Sequence, residues 1–251
     1  MIGLVPLALV AGFFITALLY AAVGFGGGST YAALLALSGF DYRLLPLLAL
    51  ICNILVVAGA TLRFARAGIT PWRGALLMTA LAAPAALLGG LTPISQSVFV
   101  LLLGSSLLLT GLTMLLPVLQ GVEAQPTRLA RYMPLLAAPL GYLAGLVGIG
   151  GGIFLAPLLY LTRWRDARAI AATASLFILV NSAFGLVGQM LKHGPELFGQ
   201  AIYGGLPLLL AVVVGGQIGS LLAVRLLPQR LIRWLTAALV IWVGGRLLLG
   251  L

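Results

Sequence analysis

Two short glycine-rich motifs interrupt a chain otherwise dominated by leucine and alanine: Gly24-Phe25-Gly26-Gly27-Gly28, followed by Ser29 and Thr30, and Gly148-Ile149-Gly150-Gly151-Gly152. Glycine takes up positive φ readily and lets a ligand come close to the backbone. Successive amides in such turns point into one concavity suited to an anion. If each motif opens a helix, the unpaired N–H groups of its first turn and the positive end of its dipole face the same point. Uncharged donors surround this chemistry: Ser29 and Asn53 in the first half, Thr173, Ser175 and Asn181 in the second, with Gln189 and Gln217 as lesser candidates. Amides and hydroxyls donate hydrogen bonds to the oxygens of an oxyanion. The candidate binding set is therefore Gly24, Gly26, Gly27, Gly28, Ser29, Asn53, Gly148, Gly150, Gly151, Gly152, Thr173, Ser175 and Asn181. A competing reading is close helix packing through small residues and hydrogen bonds between helices. The recurrence of one motif at matching places in two halves favours binding.

Other chemistries are poorly supplied. The chain has one cysteine (Cys52), one histidine (His193) and four acidic residues, too few for a nucleophile with its base or for a metal cluster. An enzyme, a metal and a cofactor are accordingly not expected. The net charge of +10 comes from arginines scattered singly between apolar runs. Nucleic-acid binding needs a basic stripe, so it is not expected either.

The elements that must position these residues follow from composition. Hydrophobic residues make up 62% of the 251 and charged residues 7%, against about 25% charged in a soluble domain. No charge occurs in 1–40, 74–122, 132–162 or 197–224. Each run exceeds the ~20 apolar residues that cross a bilayer core, where backbone groups must be satisfied within helices. The fold class is all-α integral membrane. The first run is too long for one crossing, and its glycine motif divides it into a helix near 3–23 and a short one near 29–38. Helices follow near 44–62, 72–89 and 95–116. The stretch 118–132 reads as a polar cytoplasmic linker between a first membrane repeat, 1–117, and a second, 133–251. The second repeat predicts helices near 133–147, 153–161, 169–191, 200–226 and 231–249. Asp41-Tyr-Arg43 matches Asp166-Ala-Arg168, Asn53 and Asn181 fall in the helices that come next, and Gly89-Gly90 matches Gly215-Gly216.

Charge sets the topology. With five passes per half, eleven of the fourteen Lys and Arg residues lie on one side, leaving Arg43, Lys192 and Arg246 on the other. Four passes per half would split them evenly. Basic residues gather on the cytoplasmic side, so five passes and external N- and C-termini are expected. An odd number of passes inverts the second half relative to the first. Two inverted-topology repeats of about five helical segments, each with a broken helix, describe many secondary transporters.

With these residues in view, the chain resembles the sulfite exporter TauE/SafE family. The likeness rests on Gly148–Gly152, Pro157, Ala172-Thr-Ala-Ser175 and Asn181, and on a diverged first copy at Gly24–Gly28 in which Ala33 stands where Pro157 stands in the second. The resemblance implies a multi-pass cell (inner) membrane transporter for sulfite, sulfonates or related organosulfur anions. Alternating access, with the anion held between the two motifs, is the expected mechanism. Proton or sodium is the candidate coupling ion, and the lipid bilayer the other partner. A passive anion channel and a membrane assembly protein remain the alternatives.

Overall fold

The computed structural model describes residues 5–23, 25–115, 127–222 and 229–250, and the regular structure among them is helical throughout. In chain order the elements are α1 (Leu7–Val23), α2 (Gly28–Leu37), α3 (Leu44–Arg66), α4 (Trp72–Leu91), α5 (Gln96–Leu115), a 3-10 turn (Arg128–Tyr132), α6 (Met133–Val147), α7 (Gly152–Leu161), α8 (Ala167–Leu222) and α9 (Gln229–Leu249). Among the described residues, α3, α4, α5 and the run Ala167–Gly219 are long and apolar enough to cross a membrane. The two short helices after the glycine motifs have ten residues each, about 15 Å at 1.5 Å per residue, or half a bilayer core. The linker expected at 118–132 falls partly outside the described residues. Its end forms the 3-10 turn, moored where Thr127 N–H donates to Thr162 O (3.0 Å).

Two helices expected near 169–191 and 200–226 form a single run broken at one residue, Gly194 (φ 81°, ψ 168°). Neighbours on α3 show that the chain reverses there. Along the second arm, Gly205 meets Leu48 and Gly216 meets Val56, so that arm runs parallel to α3. Along the first arm the order is opposite: Gly185 meets Leu50, and Ile178 shares the surroundings of Gly26 with Asn53. The break thus serves as the tight turn of a helical hairpin.

Leucines cover much of the exterior, and alanines are set where helices approach most closely. Leu109, Leu135 and Leu210 are 61%, 72% and 59% exposed, whereas Ala75, Ala82, Ala86, Ala137 and Ala144 are buried. Lipid tails are as apolar as leucine, so helix association in a membrane relies on close packing through small residues. Two seams carry this furthest. Along α4 and α6, a Cβ on Gly145 would overlap Ala86 O, and one on Gly89 would overlap Tyr142 O. Along α1 and the second arm of α8, a Cβ on Gly219 would overlap Leu18 O, and one on Gly215 would come to 2.5 Å from Phe14 O.

Leu18 and Tyr142 each stand six residues before their half's glycine motif, so contacts make Gly219 the counterpart of Gly89. The sequence alignment places Gly215 there, one helical turn earlier. Other packing follows the same exchange: α3 lies on α8, α5 on α9, α2 touches α9, and α7 touches α5.

Candidate functional site

Both glycine motifs end one helix and begin another through like hydrogen bonds, although Gly150 takes positive φ (73°) where Gly26 does not. Phe25 N–H donates to Tyr20 O (2.9 Å) at the first break, and Ile149 N–H to Ala144 O (3.0 Å) at the second. These bonds span five residues, and at the second break the helix closes on a left-handed residue, Gly148 (φ 75°, ψ 33°). Gly27 (φ 80°, ψ 4°) and Gly151 (φ 80°, ψ −11°) then occupy the position just before α2 and α7. Any other residue there would be strained by its Cβ. Neither helix has a side-chain cap at that residue, so first-turn N–H groups face the break. Gly24 lies outside the described residues.

Asn53, on α3, brings the motifs together. Its Oδ1 accepts the N–H of Gly28 at 2.8 Å. Around that amide, a Cβ on Gly26 or Gly28 would overlap it, and one on Gly150 would stand 2.7 Å from Nδ2. Two glycines of the first motif and one of the second therefore surround a single side chain that is fully buried. Its Nδ2 has no hydrogen-bond partner. In a dry interior an unsatisfied donor costs about 1–3 kcal/mol, and such groups point to a water or ligand.

Beside Asn53 lies a cavity of about 20 Å³ walled by Gly26, Gly27, Gly28, Ser29 and Asn53. All five belong to the set read from the sequence. The remaining wall is aromatic and aliphatic: Tyr20, Phe25, Met114, Ile149, Ile153 and Ile178. Phe25 and Ile149 are the variable residues of the two motifs, whereas Met114, Ile153 and Ile178 were missed because nothing in the sequence distinguishes them from core residues; Tyr20, whose OH lies 2.9 Å from Thr30 Oγ1, is the polar member of the wall. A volume of this size admits about one water, so this conformation is closed around its centre. No Lys, Arg, Asp or Glu side chain forms part of the wall.

The second motif contributes shape more than donors. Gly148 packs against the backbone of Pro46, Gly151 against Phe177 and Ala144, and Gly152 against Ile178. Ile178 is what faces Gly152 where Asn53 faces Gly28, so the counterpart of Asn53 by position is an isoleucine and the site holds one amide. Asn181, the asparagine of the corresponding helix, sits about one turn further along α8. It is fully buried, and neither of its amide atoms has a partner. Next to it, Ser182 Oγ is also unpartnered, 2.6 Å from where a Cβ on Gly150 would be. Thr173 turns its hydroxyl back to Ala169 O at 2.8 Å within its own helix. Ser175 is buried but stands off the cavity wall. Of the lesser candidates, Gln189 is buried and donates to Gly145 O (3.0 Å).

The two Asp-x-Arg segments differ from one another. Arg43 pairs with Asp41 at 2.7 Å, and the guanidinium's hydrogen bonds hold the Asp41 carboxyl below its ordinary value. Asp166 instead caps α8, its Oδ1 accepting the N–H groups of Arg168 (3.0 Å) and Ala169 (2.9 Å). Among the described residues, no group of His, Cys, Asp and Glu side chains could hold a metal ion.

Comparison with known proteins gives a consistent picture. The family model for the sulfite exporter TauE/SafE matches residues 8–247. A curated relative, the probable membrane transporter protein y4hK of Sinorhizobium fredii (strain NBRC 101917 / NGR234), is 34% identical over 248 residues, covering 96% of this chain and 98% of its own length. No solved structure matches the chain.

Proposed function

We propose, from the premise that the chain belongs to the sulfite exporter TauE/SafE family, that it is a secondary transporter for a small sulfur oxyanion such as sulfite or a sulfonate. The anion binds between the two glycine motifs, and alternating access carries it across. The observation that carries this reading is Asn53: a buried amide set between both motifs, with Nδ2 unpartnered beside a cavity. A donor amide, the first-turn N–H groups of α2 and the positive helix end suit a multi-oxygen anion. Isoleucines and Met114 on the remaining wall exclude water and strengthen those hydrogen bonds. Binding through neutral dipoles lets the anion leave, since no cation lines the cavity.

The exchange of packing partners between the halves supports two repeats of opposite orientation. In this arrangement α1 and the second arm of α8 repeat what α6 and α4 do. The small central cavity favours a carrier over an open channel, because a continuous pore would need a wider centre.

Uptake into liposomes reconstituted with the purified protein tests the reading, using sulfite, thiosulfate, a small sulfonate and a carboxylate under imposed proton and sodium gradients. Saturable flux of a sulfur oxyanion, competed by its relatives, is expected. Flux that rises linearly without competition would replace the carrier with a passive channel. Absence of flux for all four anions would remove the sulfur-oxyanion assignment and favour another anion or an assembly role.

A further inference from the structure

Buried polar atoms without partners continue beyond the central cavity along one stretch of α8. Ser182 Oγ lies beside Gly150, both amide atoms of Asn181 are unpartnered, and so is Gln189 Oε1. All three residues are fully buried. They are followed by Lys192, whose Nζ donates to Thr92 O (3.3 Å) at the end of α4. Thr92 Oγ1 in turn accepts a hydrogen bond from Tyr142 OH of α6 (3.0 Å). From Ser182 to Lys192 is ten residues of α8, about 15 Å of rise. That is the distance from the middle of a bilayer core to its edge.

What closes this line is glycine. Gly145 Cα would be 3.2 Å from a Cβ on Gly185, and Gly90 Cα 3.0 Å from one on Gly188. Three helices thus meet backbone to backbone over a row of unpartnered polar atoms. A purely structural seam would gain from apolar side chains here, since burying polar groups unpaired is unfavourable. Polar atoms that lack partners only while the seam is shut gain them if it opens and fills with water or an anion.

We propose that the seam between α4, α6 and the first arm of α8 is the passage linking the central cavity to the face that carries Lys192, and that Ser182, Asn181 and Gln189 line it when open. Lys192 stands at its mouth and draws anions toward it. The identity of the cargo rests on the transport reading above, whereas the passage itself is read by a separate measurement.

Cysteine accessibility provides that measurement. In a Cys52→Ala background, Ser182→Cys and Gln189→Cys are each exposed to a membrane-impermeant anionic thiol reagent from either side of sealed vesicles. Lys192→Cys serves as the reference at the mouth, and Leu210→Cys on the outer surface as the unreactive control. Both seam cysteines are expected to react from the Lys192 side only. The anionic reagent should react roughly tenfold faster than a cationic one of the same size, and saturating sulfite should slow the reaction. Failure of both to react while Lys192→Cys is modified would overturn the passage, as would reaction from the opposite side alone. Because Ser182→Cys changes a single atom, a folding defect does not obscure the result. Wild-type protein that moves no anion while the seam cysteines still react would refute the transport reading and leave the passage standing.

Discussion

Replacing Asn53 with leucine removes one hydrogen bond and one unpartnered donor at once, and each has its own readout. Oδ1 accepts the Gly28 N–H at 2.8 Å. Leucine of similar size leaves that donor orphaned in a closed interior, a loss of about 1–3 kcal/mol of stability. Nδ2 has no partner inside the protein, so its loss costs folding nothing and appears only when an anion is bound. A hydrogen bond to a charged group contributes about 1.5–3 kcal/mol, which at ~1.4 kcal/mol per decade is roughly a 10- to 150-fold fall in kcat/KM. The assay is initial uptake of radiolabelled substrate, well below KM, into proteoliposomes containing equal amounts of inserted protein. Thermal unfolding in detergent reports the first contact separately. Folded Asn53→Leu protein with kcat/KM within about twofold of wild type would refute the placement of the anion at this amide.

Further substitutions test the packing and the edges. Gly89→Ala and Gly219→Ala each drive a methyl into a backbone carbonyl of the neighbouring helix and should destabilise by about 1–3 kcal/mol. Gly199→Ala, in open space on the same helix as Gly219, should be neutral or stabilising by about 0.5–1 kcal/mol; thermal unfolding of the three separates crowding from helix propensity. Gly27→Ala forces a Cβ onto a left-handed residue (φ 80°), at a cost of about 1–2 kcal/mol, and should slow transport through displacement of the α2 N-terminus, read as uptake rate per folded protein. The Asp41 carboxyl is held low by Arg43, so the stabilisation is complete above its ordinary pKa and is lost as pH falls through the lowered value. Unfolding temperature should therefore show no Asp41-dependent change between about pH 8 and pH 5, and Asp41→Asn should shift it little because the pair is solvent-screened.

The helices were legible where composition or a strong breaker decided them. Charge-free runs and the two glycine motifs located α1 through α7 to within a few residues, because a membrane span must be long, apolar and helical. The reversal at Gly194 was harder to see. Its neighbours Lys192, His193 and Glu196 suggested a loop, yet one glycine at positive φ suffices, and Pro195 can begin the next arm because its missing N–H lies where a helix start needs none. Within the site, the first motif and Asn53 were legible because glycine and a polar amide are conspicuous among leucines. Ile178 was not. Its role is set by which helix face meets Gly152, and hydropathy reads it as one more core residue. The spacing did carry the offset of Asn181: Asn53 stands 12 residues after Asp41 and Asn181 15 after Asp166, so counting from the two aspartates reaches Ile178 rather than Asn181.

Two glycine seams on opposite sides of one small cavity have a mechanical consequence under the proposed carrier reading. The seam of α4 and α6 with the first arm of α8 lies between the cavity and Lys192. Along α3, the contact of Gly216 with Val56 puts the seam of α1 and the second arm beyond Asn53, toward Arg63 and Arg66. Each is held by backbone approach, with contacts worth about 0.5–1 kcal/mol apiece, and without the hydrophobic gain that seals a water-soluble interface. Leucine-filled seams would interlock and have to be repacked at every turnover. Glycine surfaces separate and return without rotamer change, so either seam can part as a rigid unit while the other stays shut. The polar atoms left unpartnered in the Lys192-side seam make that closed state less favourable in the absence of cargo. The resting protein should then open toward Lys192, and labelling of Ser182→Cys should be faster without substrate than with it.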